Sequence, residues 1–121
     1  MTNRSIEIPE QVRRLESAYT MRNRSVLEIL KRNNVTEASL VNYLLGSIEE
    51  AVSKGEFSVV FTKNEGNLVS RVMFDNFQHY MILTRRFRKA GYTVTPAYAN
   101  DGDRQYMSRL TISWSNAIDK L

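Results

Sequence analysis

Apolar side chains recur at three- and four-residue intervals over two long stretches, then at every second residue over shorter ones. The first stretch carries Val12, Leu15, Tyr19, Val26 and Ile29, with Leu27 and Leu30 widening the stripe and Arg22 interrupting it. Its spacing predicts a helix over 9–32, opening at Pro9, whose missing N–H costs nothing in a first turn. Such a stripe packs either on its own domain or on another protein, and the pattern leaves both open. The second stretch runs through Leu40, Val41, Leu44, Leu45, Ile48, Ala51 and Val52 and predicts a helix over 37–54. Thr36 is placed to cap it, Glu37 meets the positive end of the helix dipole, and Gly55 supplies a left-handed exit.

The period then shortens. Phe57, Val59 and Phe61 alternate with Ser58, Val60 and Thr62, which predicts a strand followed by a turn at 63–67. Segment 68–74 fits both a strand and the opening of a helix. A helix is predicted over at least 75–89, capped by Asp75, with Phe77, Tyr80, Leu83, Thr84 and Phe87 on its buried side. Two further strands flank the turn dipeptide Asp101-Gly102, one through Tyr92, Val94 and Ala97, the other through Leu110, Ile112 and Trp114. Pro96 suits a sheet edge, because it has no N–H to give a neighbour. The order α–α–β–α–β–β predicts an α+β fold, a two-layer sandwich in which helices cover a small three-stranded sheet. A right-handed crossover follows if the strands flanking the third helix are parallel neighbours. Residues 1–35 are expected as an N-terminal helical segment able to act as an interaction arm, and 36–121 as a single α+β domain.

The 121 residues include no cysteine, which removes disulfides, thiolate metal sites and cysteine nucleophiles. No apolar run approaches a membrane span, and the N-terminus lacks a signal-peptide core, so a soluble cytoplasmic protein is expected. Net charge is +4 and unevenly placed. Residues 1–35 hold seven Lys and Arg against four acids, 36–65 two against five, and 66–121 eight against four. Basic ends around an acidic middle suit either a polyanion or contact between subunits.

The densest charge is Arg85, Arg86, Arg88 and Lys89, just before Gly91. On a helical wheel Arg85, Arg86 and Lys89 face outward with Gln78 and Ile82, while Arg88 lies nearer the buried edge and has to reach out along its stem. Cations at a helix C-terminus are favoured by its dipole, which by itself accounts for the cluster. A phosphate-binding role for Arg85, Arg86 and Lys89 would draw on Arg71, Arg104, Arg109 and the tyrosines at 92, 98 and 106. His79 has no convergent acid and reads as a surface or capping residue, Asp101 and Asp103 read as turn residues, and Glu49 and Glu50 diverge around a helix. Trp114, Met73 and Met81 are expected in the core. No phosphate-cradling loop, nucleophile elbow or zinc-protease motif occurs, so no catalytic residue, cofactor or metal is expected.

Between Ile48 and Trp114 the elements follow one another in a recognisable order. A helix ends in Ile48, Ala51 and Gly55; the strand Phe57-Ser58-Val59 follows; a later helix ends in Gly91-Tyr92 with Val94 beyond; a last strand carries Ile112-Ser113-Trp114. This half of the chain resembles small accessory or virion-associated proteins of tailed bacteriophages. The resemblance implies a binding role in virion or host cytoplasm, with no catalytic residues and no cofactor. The expected function is a non-enzymatic interaction or assembly protein that self-associates or docks on a protein through Val12, Leu15, Tyr19, Val26 and Ile29. The alternative is a small nucleic-acid or nucleotide binder using Arg85, Arg86 and Lys89, and a factor that sequesters a host nucleotide signal is a third reading.

Overall fold

The structure is a computed structural model and describes residues 14–76 and 81–117. Its elements are α1 (Ala18–Arg32), α2 (Glu37–Ser53), β1 (Ser58–Phe61), α3 (Leu68–Asp75), α4 (Met81–Lys89), β2 (Thr93–Asp101) and β3 (Arg104–Ser113). The fold is α+β, with the helices on one face of a three-stranded sheet of order β1–β3–β2.

Both outer strands run antiparallel to β3. They are therefore parallel to each other but not adjacent, so the crossover expected for parallel neighbours does not arise. Val59, Ile112 and Val94 form one row across the sheet, and Phe61, Leu110 and Pro96 form the next. Ile112 and Leu110 are fully buried where these rows meet the helices. Asp101 and Arg104 close the β2–β3 hairpin, with Gly102 in the left-handed region at φ +65°.

α2 begins and ends as its sequence predicts. The Ser39 N–H donates to Thr36 Oγ1 at 3.1 Å and the Thr36 N–H to Ser39 Oγ at 2.8 Å, a reciprocal cap that satisfies two orphan donors. At the other end Gly55 turns at φ +75°, and the Glu56 N–H reaches back to the Ala51 carbonyl at 3.0 Å.

Three expectations need correction, and one left open is decided. Residues 14–17 are not helical: α1 starts at Ala18, because Ser17 Oγ accepts the Thr20 N–H at 3.1 Å and takes the N-cap. Pro9 and Val12 lie outside the described residues. Segment 68–74, left open between strand and helix, is helical, with Asn67 Oδ1 accepting the Ser70 N–H at 2.9 Å. Asp75 does not cap a helix over 75–89 but ends α3. Asn76 closes α3 by donating its side-chain amide and its backbone N–H to the Val72 carbonyl, at 2.7 and 3.1 Å. Finally, Ile82, which a helical wheel sets on the outer face, is buried, because α4 lies between the sheet and α1 and is covered from both sides.

The core joins Val26 and Leu30 of α1 to Leu40, Leu44 and Ile48 of α2, Phe87 of α4 and the sheet residues named above. The described part of the N-terminal segment is thus packed into the same core as residues beyond 36. Met73 is buried, and half-buried Trp114 packs at the core margin, edge-on to Tyr92 at 6.2 Å.

Candidate functional site: a basic and apolar groove between α1 and α4

α4 needs its apolar face twice over, and this arranges the basic cluster. Ile82, Leu83, Thr84 and Phe87 are buried, which leaves Arg85, Arg86, Arg88 and Lys89 exposed by the helical repeat. Arg88 lies on the sheet side and donates to the Val94 carbonyl of β2 at 3.0 Å, the reach along its stem that its wheel position requires. Arg86 pairs with Glu37 in the first turn of α2 at 3.3 Å. Arg85 places its guanidinium 5.2 Å from the centre of the Tyr19 ring on α1, within cation–π range. The cluster therefore ties α4 to three neighbouring elements.

Between α1 and α4 these side chains border a groove of about 260 Å³, lined by Asn23, Leu27, Glu37, Ile82, Arg85, Arg86 and Lys89. Leu27 is exposed here and supplies an apolar wall. The Asn23 amide oxygen is shut off from solvent and has no hydrogen-bond partner. All three candidate phosphate ligands line this groove. Arg71, Arg104, Arg109 and the tyrosines at 92, 98 and 106 do not. Arg71 donates to the Glu65 carbonyl at 3.2 Å, and Arg104 and Tyr106 border a separate cavity with Lys63 and Asp75.

The proposed protein-contact stripe is divided by the fold. Val26 is 1% exposed and belongs to the core, so it is closed to a partner; Ile29 is half-buried. Leu15 precedes α1 and is 93% exposed, and Tyr19 is exposed beside Arg85. Two further apolar residues of α1 are exposed: Met21, which lies off the stripe, and Leu27, which widens it but is not one of the five contact positions. Their spacing alone did not separate them from the core, because the buried face was set by where α4 lies.

Elsewhere, Lys63 Nζ sits 2.6 Å from Asp75 and 3.1 Å from Glu65. The hydrogen bond to Asp75, then that to Glu65, raises the Lys63 pKa above its ordinary value. Among the described residues no group of three or more His, Cys, Asp and Glu is placed to hold a metal ion. His79 lies outside the described residues. No described helix is long and apolar enough to cross a membrane. No protein family, no curated protein and no solved structure matches the chain.

Proposed function

We propose that this chain is a non-enzymatic interaction protein that holds an acidic, apolar segment of a protein partner in the α1–α4 groove. One observation carries the reading: exposed Leu27 and three cationic side chains surround a single groove. An apolar anchor would seat against Leu27 and Ile82, and flanking carboxylates would meet Arg85, Arg86 and Lys89. The bacteriophage accessory role implied by the sequence resemblance agrees with a binding function and is proposed with it.

A polyanion fits this site less well. Glu37 lines it and already pairs with Arg86. Its cations surround the C-terminal end of α4, where the helix dipole opposes any anion and so weighs most on a ligand charged at every unit and least on one with an apolar anchor for Leu27. No tyrosine that could stack a base lines it.

The test is a titration of isotope-labelled protein, followed by amide chemical shifts, with a short amphipathic peptide of leucine and glutamate. A single-stranded oligonucleotide of matched charge is the parallel probe. Peptide-induced shifts centred on Leu27, Arg85, Arg86 and Lys89, and lost in Leu27→Glu with Lys89→Glu, are expected. Shifts with the oligonucleotide alone, weakening steeply with salt, would transfer the groove to nucleic acid. No response to either probe rejects the site.

A further inference from the structure

The sheet has two outer edges, and they are built differently. β3 is central, so β1 and β2 each turn one side away from it. On β1, the Phe57 carbonyl accepts the Trp114 N–H of the β3 side at 3.0 Å. Backbone groups alternate along an antiparallel strand, so Val59 and Phe61 also face β3. Ser58 and Val60 then turn their N–H and C=O groups outward, and among the described residues β3 is the only ladder partner of β1.

β2 is protected at the corresponding place. Its register sets Pro96 opposite Leu110, between the positions that bond to β3, so the Pro96 nitrogen faces the outer edge with no N–H to offer. The next step along β2 is a bulge, between Ala97 and Tyr98. β1 has none of these devices. Its four residues, Ser-Val-Val-Phe, contain no proline, no charge and no bulge. Val60 is 54% exposed and the preceding Phe57 is 65% exposed. Alongside lies a groove of about 310 Å³ between β1 and the flank of α2, where Ser47 and Ala51 are small and leave room.

We propose that β1 is a self-association edge, where two copies of this chain pair β1 with β1 antiparallel and join their sheets into one. The sequence of β1 is self-complementary for this. A two-fold axis perpendicular to the sheet keeps both helical layers on the same side and pairs positions of equal parity. Centred on Val60, it sets Val60 against its own copy, Ser58 against Thr62, and Val59 against Phe61. Each pair is apolar with apolar or hydroxyl with hydroxyl, and no charge meets itself. Thr62 can join the ladder although its carbonyl also accepts from Ser70 Oγ at 3.5 Å, since a carbonyl has a second lone pair. A ladder this short gives a dimer whose population depends on concentration. The proposal does not rest on the α1–α4 groove.

Sedimentation velocity of the full chain over a series of concentrations tests it. The weight-average mass is expected to rise from that of the monomer towards twice that value. Val60→Pro removes an outward N–H and no bond to β3, so it should hold the protein monomeric at every concentration with an unchanged circular dichroism spectrum. Val60→Lys is a second variant with the same expected loss, should the proline disturb β1. Because the chain has no cysteine, Val60→Cys carries a unique thiol. It should cross-link to a dimer with a short bis-maleimide, whereas Thr95→Cys on β2 should not. A wild-type protein that stays monomeric throughout overturns the proposal and leaves the edge to an extended segment of another protein. A dimer that persists in folded Val60→Pro and Val60→Lys, or cross-linking through Thr95→Cys but not Val60→Cys, also overturns it.

Discussion

Asn23 is the one described residue whose buried side-chain oxygen lacks a partner. An acceptor stripped of water and left unpaired costs about 1–3 kcal/mol. Leucine has nearly the same shape and no polar atom to desolvate. Asn23→Leu is therefore expected to stabilise the fold, by about 1 kcal/mol, raising the thermal midpoint by about 4 °C in a domain of this size. A melt followed by circular dichroism measures it, and an unchanged or lower midpoint would show that the amide is satisfied in solution. The paired residues around it act differently. Arg85 over Tyr19 and Arg86 with Glu37 are exposed contacts worth little to stability, but they fix where the guanidinium groups stand.

Among the elements, α1 decides whether the N-terminal segment is an arm or part of the domain. Leu30 is 4% exposed and borders a small space shared with Leu40, Met73 and Leu83. Leu30→Ala should cost about 2–5 kcal/mol, read as a lower urea midpoint in a single transition. An arm independent of the core would lose its own helicity and leave the main transition in place. The link from β1 to α3 makes a prediction about pH. Lys63 has a folded pKa above its ordinary value, because Asp75 and then Glu65 hold its proton. Its contribution is thus complete below the ordinary lysine pKa and is lost as pH rises through the raised folded value. The urea midpoint of the wild type should fall more steeply in alkaline solution than that of Lys63→Met; parallel curves would show that the pair is fully screened.

At the scale of the molecule, the sheet holds the helical layer through two rows of side chains that meet at Ile112 and Leu110, both fully buried. The single core explains why the basic cluster and the N-terminal stripe meet. α4 must bury one side on β2 and another under α1, so its remaining face opens beside α1. The two edges of the same sheet divide the outer surface again, one blunted by Pro96 and a bulge, the other open along Ser58 and Val60. A chain built this way leaves a groove beside α1 and an open strand edge along β1, on separate parts of one surface.

Much of this was legible in the chain itself. Thr36 with Gly55 marked both ends of α2, the alternation through Phe61 and Ile112 marked strands, and Asp101-Gly102 marked the hairpin, because caps, periods and turns depend on residues a few positions apart. The α+β class followed from the order of those elements. Other features depended on partners distant in sequence. Only the packed chain decided that Val26 belongs to the core while Leu27 faces a groove, that Ile82 is covered, that α3 ends at Asp75, and that β3 rather than β2 is central. A three- or four-residue period says that a helix has an apolar face. It does not say which neighbour covers each part of that face, and this is what separates a core residue from a contact residue.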